Sequence, residues 1–342
     1  MKAAAKLDFT HVETPDLHVE RRKSLMRTYS KELRAIMGNN PGTMLWILAV
    51  VGAQFAMAYA LRHQAWYVIL GVAYVFGAFL NHALYVFVHD SAHNLVFKSS
   101  NANRAAGMIC DFALVVPGAM AFRKYHLLHH NKMGQYDFDA DLSPEWEAKA
   151  VGNSSFRKLI WMLLLGISEG SRPMRFKAPP FWDRWIFANL VVQLAVAATA
   201  FYFLGLAGIV YLFASTVFGL GLHPLGARWI AEHFLSDSKQ ETYSYYGPMN
   251  PIMFNVGFHM EHHDLMTVAW SRLPEITKIA PEYYRDLETV KSYPGLLFKF
   301  ITDPKMSLYS RILRKSESRT VALAPMTTRE EGATYVPNPA SA

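Results

Sequence analysis

The sequence predicts an all-α integral membrane protein: four transmembrane helices arranged as two hairpins, with a cytoplasmic histidine-rich cap and helices lying in the interface. Three observations carry this. Charged residues are scarce, 18% of 342 against 52% apolar, where a soluble domain holds about 25%. The scarcity is concentrated. Residues 42–88 contain Arg62 as their only charged residue, and residues 185–227 contain none. Finally, the cations lie outside these runs: eight Lys/Arg precede Gly42, twelve fall in 91–184 and thirteen in 228–342.

Each span follows from length. The uncharged run 185–227 has 43 residues. As one helix it would be about 64 Å long, twice a hydrocarbon core of about 30 Å. It must fold back, and Leu204-Gly205-Leu206-Ala207-Gly208 is the natural turn, giving spans near 185–204 and 207–225. The first run folds back at Arg62-His63-Gln64, giving spans near 43–61 and 65–88. The positive-inside rule then places both termini and the middle segment in the cytoplasm. Residues 105–122 contain Asp111 and Pro117 and are too broken to span well. With 158–166 they read as interfacial or re-entrant. If 105–122 crossed, the histidines on its two sides would face opposite compartments.

The chain divides into a cytoplasmic N-terminal region (1–40), a membrane domain (41–315) and a polar tail (316–342) that reads as disordered. The N-terminal region has no apolar core and does not read as a signal peptide. Lys2 excludes N-myristoylation. A single cysteine, Cys110, excludes an intramolecular disulfide framework, a zinc ribbon and an iron–sulfur cluster. The net charge of +7 accompanies no nucleic-acid motif. Cations flanking apolar runs suit a membrane surface instead.

Histidine is the unusual residue, with 14 copies. Three boxes stand out: His89-Asp-Ser-Ala-His93, His126-Leu-Leu-His129-His130 and His259-Met-Glu-His262-His263. Spacings of three and four put side chains on one helical face. HxxxH arises by chance in about half of such chains, but HxxHH is expected roughly 0.02 times per chain. Two copies therefore need a reason beyond composition. Eight imidazoles exceed what one tetrahedral zinc takes. Two metals with four or five ligands each would use them, and imidazole suits iron, copper, zinc or nickel. Soluble di-iron oxygenases use Glu and Glu-x-x-His, a pattern missing here, so an all-imidazole di-iron site fits better. A zinc or iron transporter or sensor is the non-enzymatic alternative. Asp90, Glu232, Glu261 and Asp264 neighbour these histidines in sequence. A carboxylate on the distal ring N–H would fix a tautomer. Asp137, Asp139 and Asp141 support the second box or face water. His11, His18, His63, His82 and His223 read as ordinary polar histidines.

The three boxes resemble those of the membrane-bound fatty acid desaturase and hydroxylase superfamily. Gly221-Leu-His-Pro224, Ile230-Ala-Glu-His233, Glu241-Thr-Tyr-Ser-Tyr-Tyr-Gly-Pro248 and Asn255-Val-Gly-Phe-His-Met-Glu-His-His-Asp264 are similar to the sphingolipid Δ4-desaturases, or dihydroceramide desaturases. Arg21-Arg22-Lys23, Pro281-Glu-Tyr-Tyr284 and Ser307-Leu-Tyr-Ser-Arg311 extend the similarity over roughly 8–315. Arg228 and Trp229 stand where that family carries a His-Phe pair. The resemblance implies a ninth ligand, His233, two iron ions and O₂ as co-substrate. It implies no catalytic side chain beyond the metal centre.

Removing hydrogen from an unactivated methylene needs a cofactor that activates oxygen. The implied reaction makes the Δ4-trans double bond of ceramide from dihydroceramide. The runner-up reactions are C4-hydroxylation of a sphingolipid and desaturation of another acyl lipid. The boxes lie at helix ends near the interface, a depth that suits a bond beside a lipid head group. Tyr243, Tyr245, Tyr246 and Asn250 are candidates to bind the lipid's polar atoms. Asn255 is a candidate there and beside the metal ligands. His-Pro-Leu-Gly at 223–226 is not the His-Pro-Gly-Gly of a haem-binding cytochrome b5 domain, so electrons are expected from a separate carrier such as cytochrome b5 with its reductase. The expected location is the endoplasmic reticulum membrane in a eukaryote or the inner membrane in a bacterium.

Overall fold

The computed structural model describes residues 7–177, 179–236 and 240–315. The expected polar tail, 316–342, lies outside the described residues. The fold is mainly helical. A short strand β1 (Thr10–Val12) leads into α1 (Leu17–Thr28), whose N-terminus is capped by Asp16 accepting the His18 N–H at 2.9 Å. Helices α2 (Thr43–Leu61) and α3 (Trp66–Ala92) form the first hairpin, and α3 contains one π turn at Ala73–Gly77. Both are long and apolar enough to cross a membrane.

Helices α4 (Ser100–Leu114) and α5 (Ala119–Lys132) meet at a 119° bend. Val115 adopts a left-handed φ of 60° there, and Pro117 cannot continue a helix. The segment is therefore sharply bent within the stretch 105–122. Beyond a short helical segment at Glu145–Val151, α6 (Ser155–Leu163) exposes Phe156, Leu159 and Ile160 while burying Lys158 and Trp161.

Helix α7 (Arg184–Leu220) is apolar throughout but broken at Gly205, where φ is 63° and ψ −174°. Only glycine adopts that conformation cheaply. Two hydrogen bonds show that its arms are antiparallel. Asn189 Nδ2 donates to Asp111 Oδ2 at 2.9 Å, and Thr216 Oγ1 donates to the Leu114 carbonyl at 2.8 Å. Both acceptors lie on α4, one turn apart. Along a straight helix the two donors would be about 40 Å apart. The second arm ends at Leu220, earlier than the expected 225, because Gly221 leaves helical geometry and Pro224 follows.

A polar network ties the apolar helices together. Tyr211 donates to Gln54 Oε1 at 2.6 Å, Gln54 Nε2 donates to the Gly77 carbonyl at 3.0 Å, and Asn81 Nδ2 donates to Thr216 Oγ1 at 2.8 Å. The outer surface is the reverse of a soluble protein's: Leu45, Trp66, Tyr202 and Leu206 are all exposed. Polar groups inside and apolar groups outside is the arrangement a bilayer demands.

Helix α8 (Ala227–His233), β2 (Ser244–Tyr245), α9 (His259–Asp264), β3 (Thr289–Val290), α10 (Tyr293–Thr302) and β4 (Ile312–Arg314) complete the cap. Strand β2 pairs in parallel with β3. Strand β1 pairs in parallel with β4, Thr10 opposite Ile312, so both ends of the described chain close on one side of the cap. The buried Lys158 of α6 donates to the Phe300 and Asp303 carbonyls at 2.9 and 2.7 Å. It thereby satisfies carbonyls that the end of α10 leaves open.

Candidate metal centre

Four helix ends converge on one point. The end of α3 supplies His89, with His93 just beyond it; α5 supplies His126, His129 and His130; α8 supplies His233; α9 supplies His259, His262 and His263. The imidazoles sort into two sets. Ring nitrogens of His89, His93, His126, His130 and His262 lie within 4.8 Å of one another, as do those of His129, His233 and His263. His259 joins the second set through Nε2, 3.1 Å from His233 Nε2. The sets adjoin, with the His130 and His263 rings 4.2 Å apart.

Helical geometry explains the division. Residues four apart share a face, while adjacent residues diverge by about 100°. His126 and His130 therefore point together into the first set, and His129 points into the second. In the third box His259 and His263 share the second set, and His262 turns to the first. The doubled histidine of each HxxHH box is what lets one helix serve two centres.

Burial, followed by neighbouring charged groups and imidazoles, holds His93, His126, His130, His233, His259, His262 and His263 well below the ordinary histidine pKa. They are neutral and each offers a lone pair, as metal binding requires. His129 differs. Burial opposes its charge, but Asp141 and Asp139 outweigh burial and raise it to about 9. Its Nδ1 lies 2.8 Å from Asp139 Oδ1, and Asp139 is fully buried. Asp139 thus accepts the Nδ1 proton, and a cation in the second set would displace the remaining proton on Nε2.

The contacts among the rings cannot all be hydrogen bonds. His126 Nε2 lies 3.0 Å from the Nε2 atoms of both His93 and His130, and His130 Nε2 lies 3.1 Å from that of His262. A ring nitrogen carries either one proton or one lone pair. At most two of those three contacts can be hydrogen bonds. His233 Nε2 faces both His129 and His259 Nε2 under the same limit. His263 Nε2 is buried and has no hydrogen-bond partner among the described residues. A cation satisfies every lone pair at once. Two nitrogens at right angles around a metal, each about 2.1 Å away, are about 3.0 Å apart. The donor set and its spacing fit two imidazole-bound metals.

The family comparison decides the class. The fatty acid desaturase family model matches residues 64–293. The chain belongs to the fatty acid desaturase family. That family is di-iron and O₂-dependent, which agrees with the two imidazole sets of this desaturase. Curated relatives match along nearly the whole length. A protein of Oryza sativa subsp. japonica named "Sphingolipid delta(4)-desaturase DES1-like" is 37% identical over 91% of this chain and 94% of its own. The Drosophila melanogaster "Sphingolipid delta(4)-desaturase DES1" is 36% identical over 91% and 97%. The Rattus norvegicus "Sphingolipid delta(4)-desaturase/C4-monooxygenase DES2" is 36% identical over 92% and 97%.

The supporting residues of this desaturase are only partly those the sequence suggested. Asp90 lies 3.9 Å from His89 Nδ1 and accepts the Trp270 N–H at 3.2 Å. Glu232 lies 3.6 Å from His259 Nδ1 and is ion-paired to Arg228. Glu261 accepts from Ser244 and Tyr246, and Asp264 from Arg21, Tyr284 and His18. Those two acids brace α9 through its own contacts, since their partners are not box histidines. Asn255, at φ 56°, donates to the Trp270 carbonyl at 3.2 Å and supports a loop.

A cavity reaches the histidines between Phe122, Trp229, Phe254 and Trp270, and His89, His126, His259 and His262 open onto it. Tyr243, Tyr245, Tyr246, Asn250 and Asn255 are not among its lining residues. Tyr245 instead stacks on Tyr293 at 4.2 Å, and Tyr243 accepts the Ser236 N–H at 3.5 Å. Asn250 ties the Tyr245 carbonyl and the Gly257 N–H at 2.8 and 3.0 Å.

Two supporting residues had weak signals or none. Asp139 was one of three acids after the second box: it is fully buried 2.8 Å from His129 Nδ1, Asp141 is half-buried 3.7 Å from His129 Nε2, and Asp137 is exposed. His18 is buried between Asp264, at 2.8 Å, and Thr242, at 2.9 Å, with Thr242 Oγ1 3.4 Å from His233 Nδ1. No spacing rule links it to a box more than a hundred residues away. Replacing Asp139 by Asn removes the carboxylate on His129 Nδ1 and leaves only Asp141, 3.7 Å from Nε2. Lost second-layer partners cost about 10–100-fold in metal affinity. Iron retained by purified Asp139→Asn during chelator dialysis should fall by that order. Retention equal to wild type would remove Asp139 from the support of His129.

Proposed function

We propose that this desaturase introduces the Δ4-trans double bond into the sphingoid base of dihydroceramide, using O₂ and two irons. The observation that carries the reading is the pair of adjacent imidazole sets beneath a narrow aromatic-walled cavity, in a chain whose relatives are named for that reaction. In this reading His89, His93, His126, His130 and His262 hold one iron, and His129, His233, His259 and His263 hold the other. Bound iron supplies the oxygen activation that no side chain provides. The chain's residues do the rest. Asp139 fixes the His129 tautomer, and Phe122, Phe254 and Trp270 exclude water and hold the lipid in register. A separate carrier such as cytochrome b5, served by its reductase, delivers the electrons.

A second reading is C4-hydroxylation, favoured by the bifunctional name of the rat relative. One experiment separates them: expression in cells lacking Δ4 sphingolipids, followed by lipid mass spectrometry. A dominant Δ4-trans product supports the first reading. A dominant 4-hydroxyl product replaces it with the second. No new lipid in cells whose expressed protein retains two irons overturns both. A metal transporter or sensor would show no turnover dependent on O₂ and reductant.

The same reading places four spans in the membrane, two from the α2–α3 hairpin and two from the arms of α7, with both termini cytoplasmic. The two hairpin tips lie at one end of the bundle. Gly208, beside the Gly205 break, is 3.4 Å from the Ala58 carbonyl near the end of α2 when a Cβ is built on it. The cations lie overwhelmingly at the other end. A cysteine placed at position 115 should be protected from impermeant reagent on the exoplasmic face, and one at position 63 should react. Exoplasmic labelling at 115 would overturn this topology. The membrane is the endoplasmic reticulum in a eukaryotic host and the inner membrane in a bacterial one.

A further inference from the structure

Two residues that line the cavity above the histidines carry buried hydrogen-bond donors with no partner among the described residues. Arg228 is 5% exposed and lies on α8, five residues before His233. Its Nη1 bonds to Glu232. Its Nε and Nη2 are buried with no partner among the described residues, and so is Nε1 of the adjacent Trp229. Both residues line the cavity together with four box histidines. Buried donors without acceptors are costly and uncommon. Three such atoms on two adjacent residues point to an occupant that brings the acceptors.

The occupant's chemistry follows from what surrounds the guanidinium. Glu232 already neutralises its charge, and the aromatic rings of Tyr85 and Trp229 cover it at 5.3 and 4.4 Å. Asp90 and Asp141 add further negative charge to the cavity wall. The free N–H groups thus offer directed bonds without net positive charge, which suits neutral oxygen and disfavours phosphate. We propose that Arg228 and Trp229 form a polar subsite that holds a hydroxyl oxygen of the lipid substrate and sets which methylenes lie over the metal centre. The proposal rests on the sphingolipid reading given above. Arg228 and Trp229 are then specificity residues: they touch the substrate's polar end, not the carbons that react.

The test is equilibrium binding to the iron-loaded full chain in lipid nanodiscs. The probes are N-acyl sphinganine, its 1-deoxy and 3-deoxy analogues, and its 1-phosphate. Trp229→Phe removes one N–H and keeps a ring. Arg228→Lys keeps the charge opposite Glu232 and loses the fork. Each variant should weaken N-acyl sphinganine binding about fivefold, as expected for one lost hydrogen bond, with iron content unchanged. The loss should shrink below about twofold for one deoxy analogue. Equal losses across all the neutral lipids would overturn the subsite. Preferred binding of the 1-phosphate, abolished in Arg228→Lys, would overturn the neutral occupant. Loss of iron in Arg228→Lys without lipid discrimination would assign Arg228 to the support of His259 through Glu232 instead. Turnover is read separately: wild-type protein that binds N-acyl sphinganine through this coupling but leaves it unreacted overturns the proposed reaction and leaves the subsite standing.

Discussion

His233→Ala is expected to lose one of two irons and at least about a hundredfold in turnover, with the protein still in the membrane. The two imidazole sets make the prediction asymmetric. The second set has four members, His129, His233, His259 and His263, and losing one leaves three. His233 Nε2 is also its hub, facing both His129 and His259 at 3.2 and 3.1 Å. The first set has five members, so His130→Ala leaves four imidazoles and should keep more iron than His233→Ala. Turnover should fail in both, because a lost supporting partner alone already costs about 10–100-fold. Iron per chain by elemental analysis and product by lipid mass spectrometry read the two effects independently. Near-normal activity in two or more single box-histidine variants would sink the assignment. Equal iron loss in His130→Ala and His233→Ala would sink the division into five and four.

Gly219→Leu is expected to destabilise the helix bundle severely without touching any box histidine. A Cβ on Gly219 would lie 2.6 Å from the Ala78 carbonyl and 3.2 Å from the His82 backbone nitrogen. Those are backbone atoms of α3 and cannot rotate aside. Small residues at such crossings let membrane helices approach closely. Forcing α7 from α3 costs overpacking of about 1–3 kcal/mol or more. It also strains the Asn81–Thr216 bond at 2.8 Å. His89 and His93 end the same α3, so iron content should fall with stability. Gly52→Leu on α2 is the control, because a Cβ there meets nothing within 4 Å. Thermal unfolding in detergent should drop steeply for Gly219→Leu and change little for Gly52→Leu. Equal midpoints in the two variants would remove the close approach from the account.

Much of the architecture was legible because bilayer physics writes itself into composition. A run of 43 uncharged residues must fold back, and glycine is the residue that allows it, so Gly205 could be found from sequence alone. The bend within 105–122 was legible from Pro117 and from the need to keep the first box near the second, and His93 and His126 do meet at 3.0 Å. The eight box histidines were legible because three- and four-residue spacings have a direct meaning on a helix. The carboxylates were less legible. Adjacency in sequence favoured Glu261 and Asp264, yet a helix turns neighbours apart by about 100°. Both acids therefore face Ser244, Tyr246, His18 and Arg21 rather than the box rings.

By itself the sequence determined the apolar character of the spans, the fold-back of each long run and the histidine inventory, because these follow from local periodicity and from counts of charge and imidazole; the class of chemistry came from the resemblance of its motifs to the desaturases. The tertiary structure alone decided how the nine histidines divide. It also brought His18 to Asp264 across more than two hundred residues, and it set Asp139 and Asp141, but not the exposed Asp137, beside His129. The cavity wall was likewise its choice: Arg228 and Trp229 line it, while Tyr243, Tyr245, Tyr246 and Asn250 bond to the protein itself. The physical reason is that orientation and burial depend on how helices pack. No local spacing encodes which face of α8 or α9 turns toward α5.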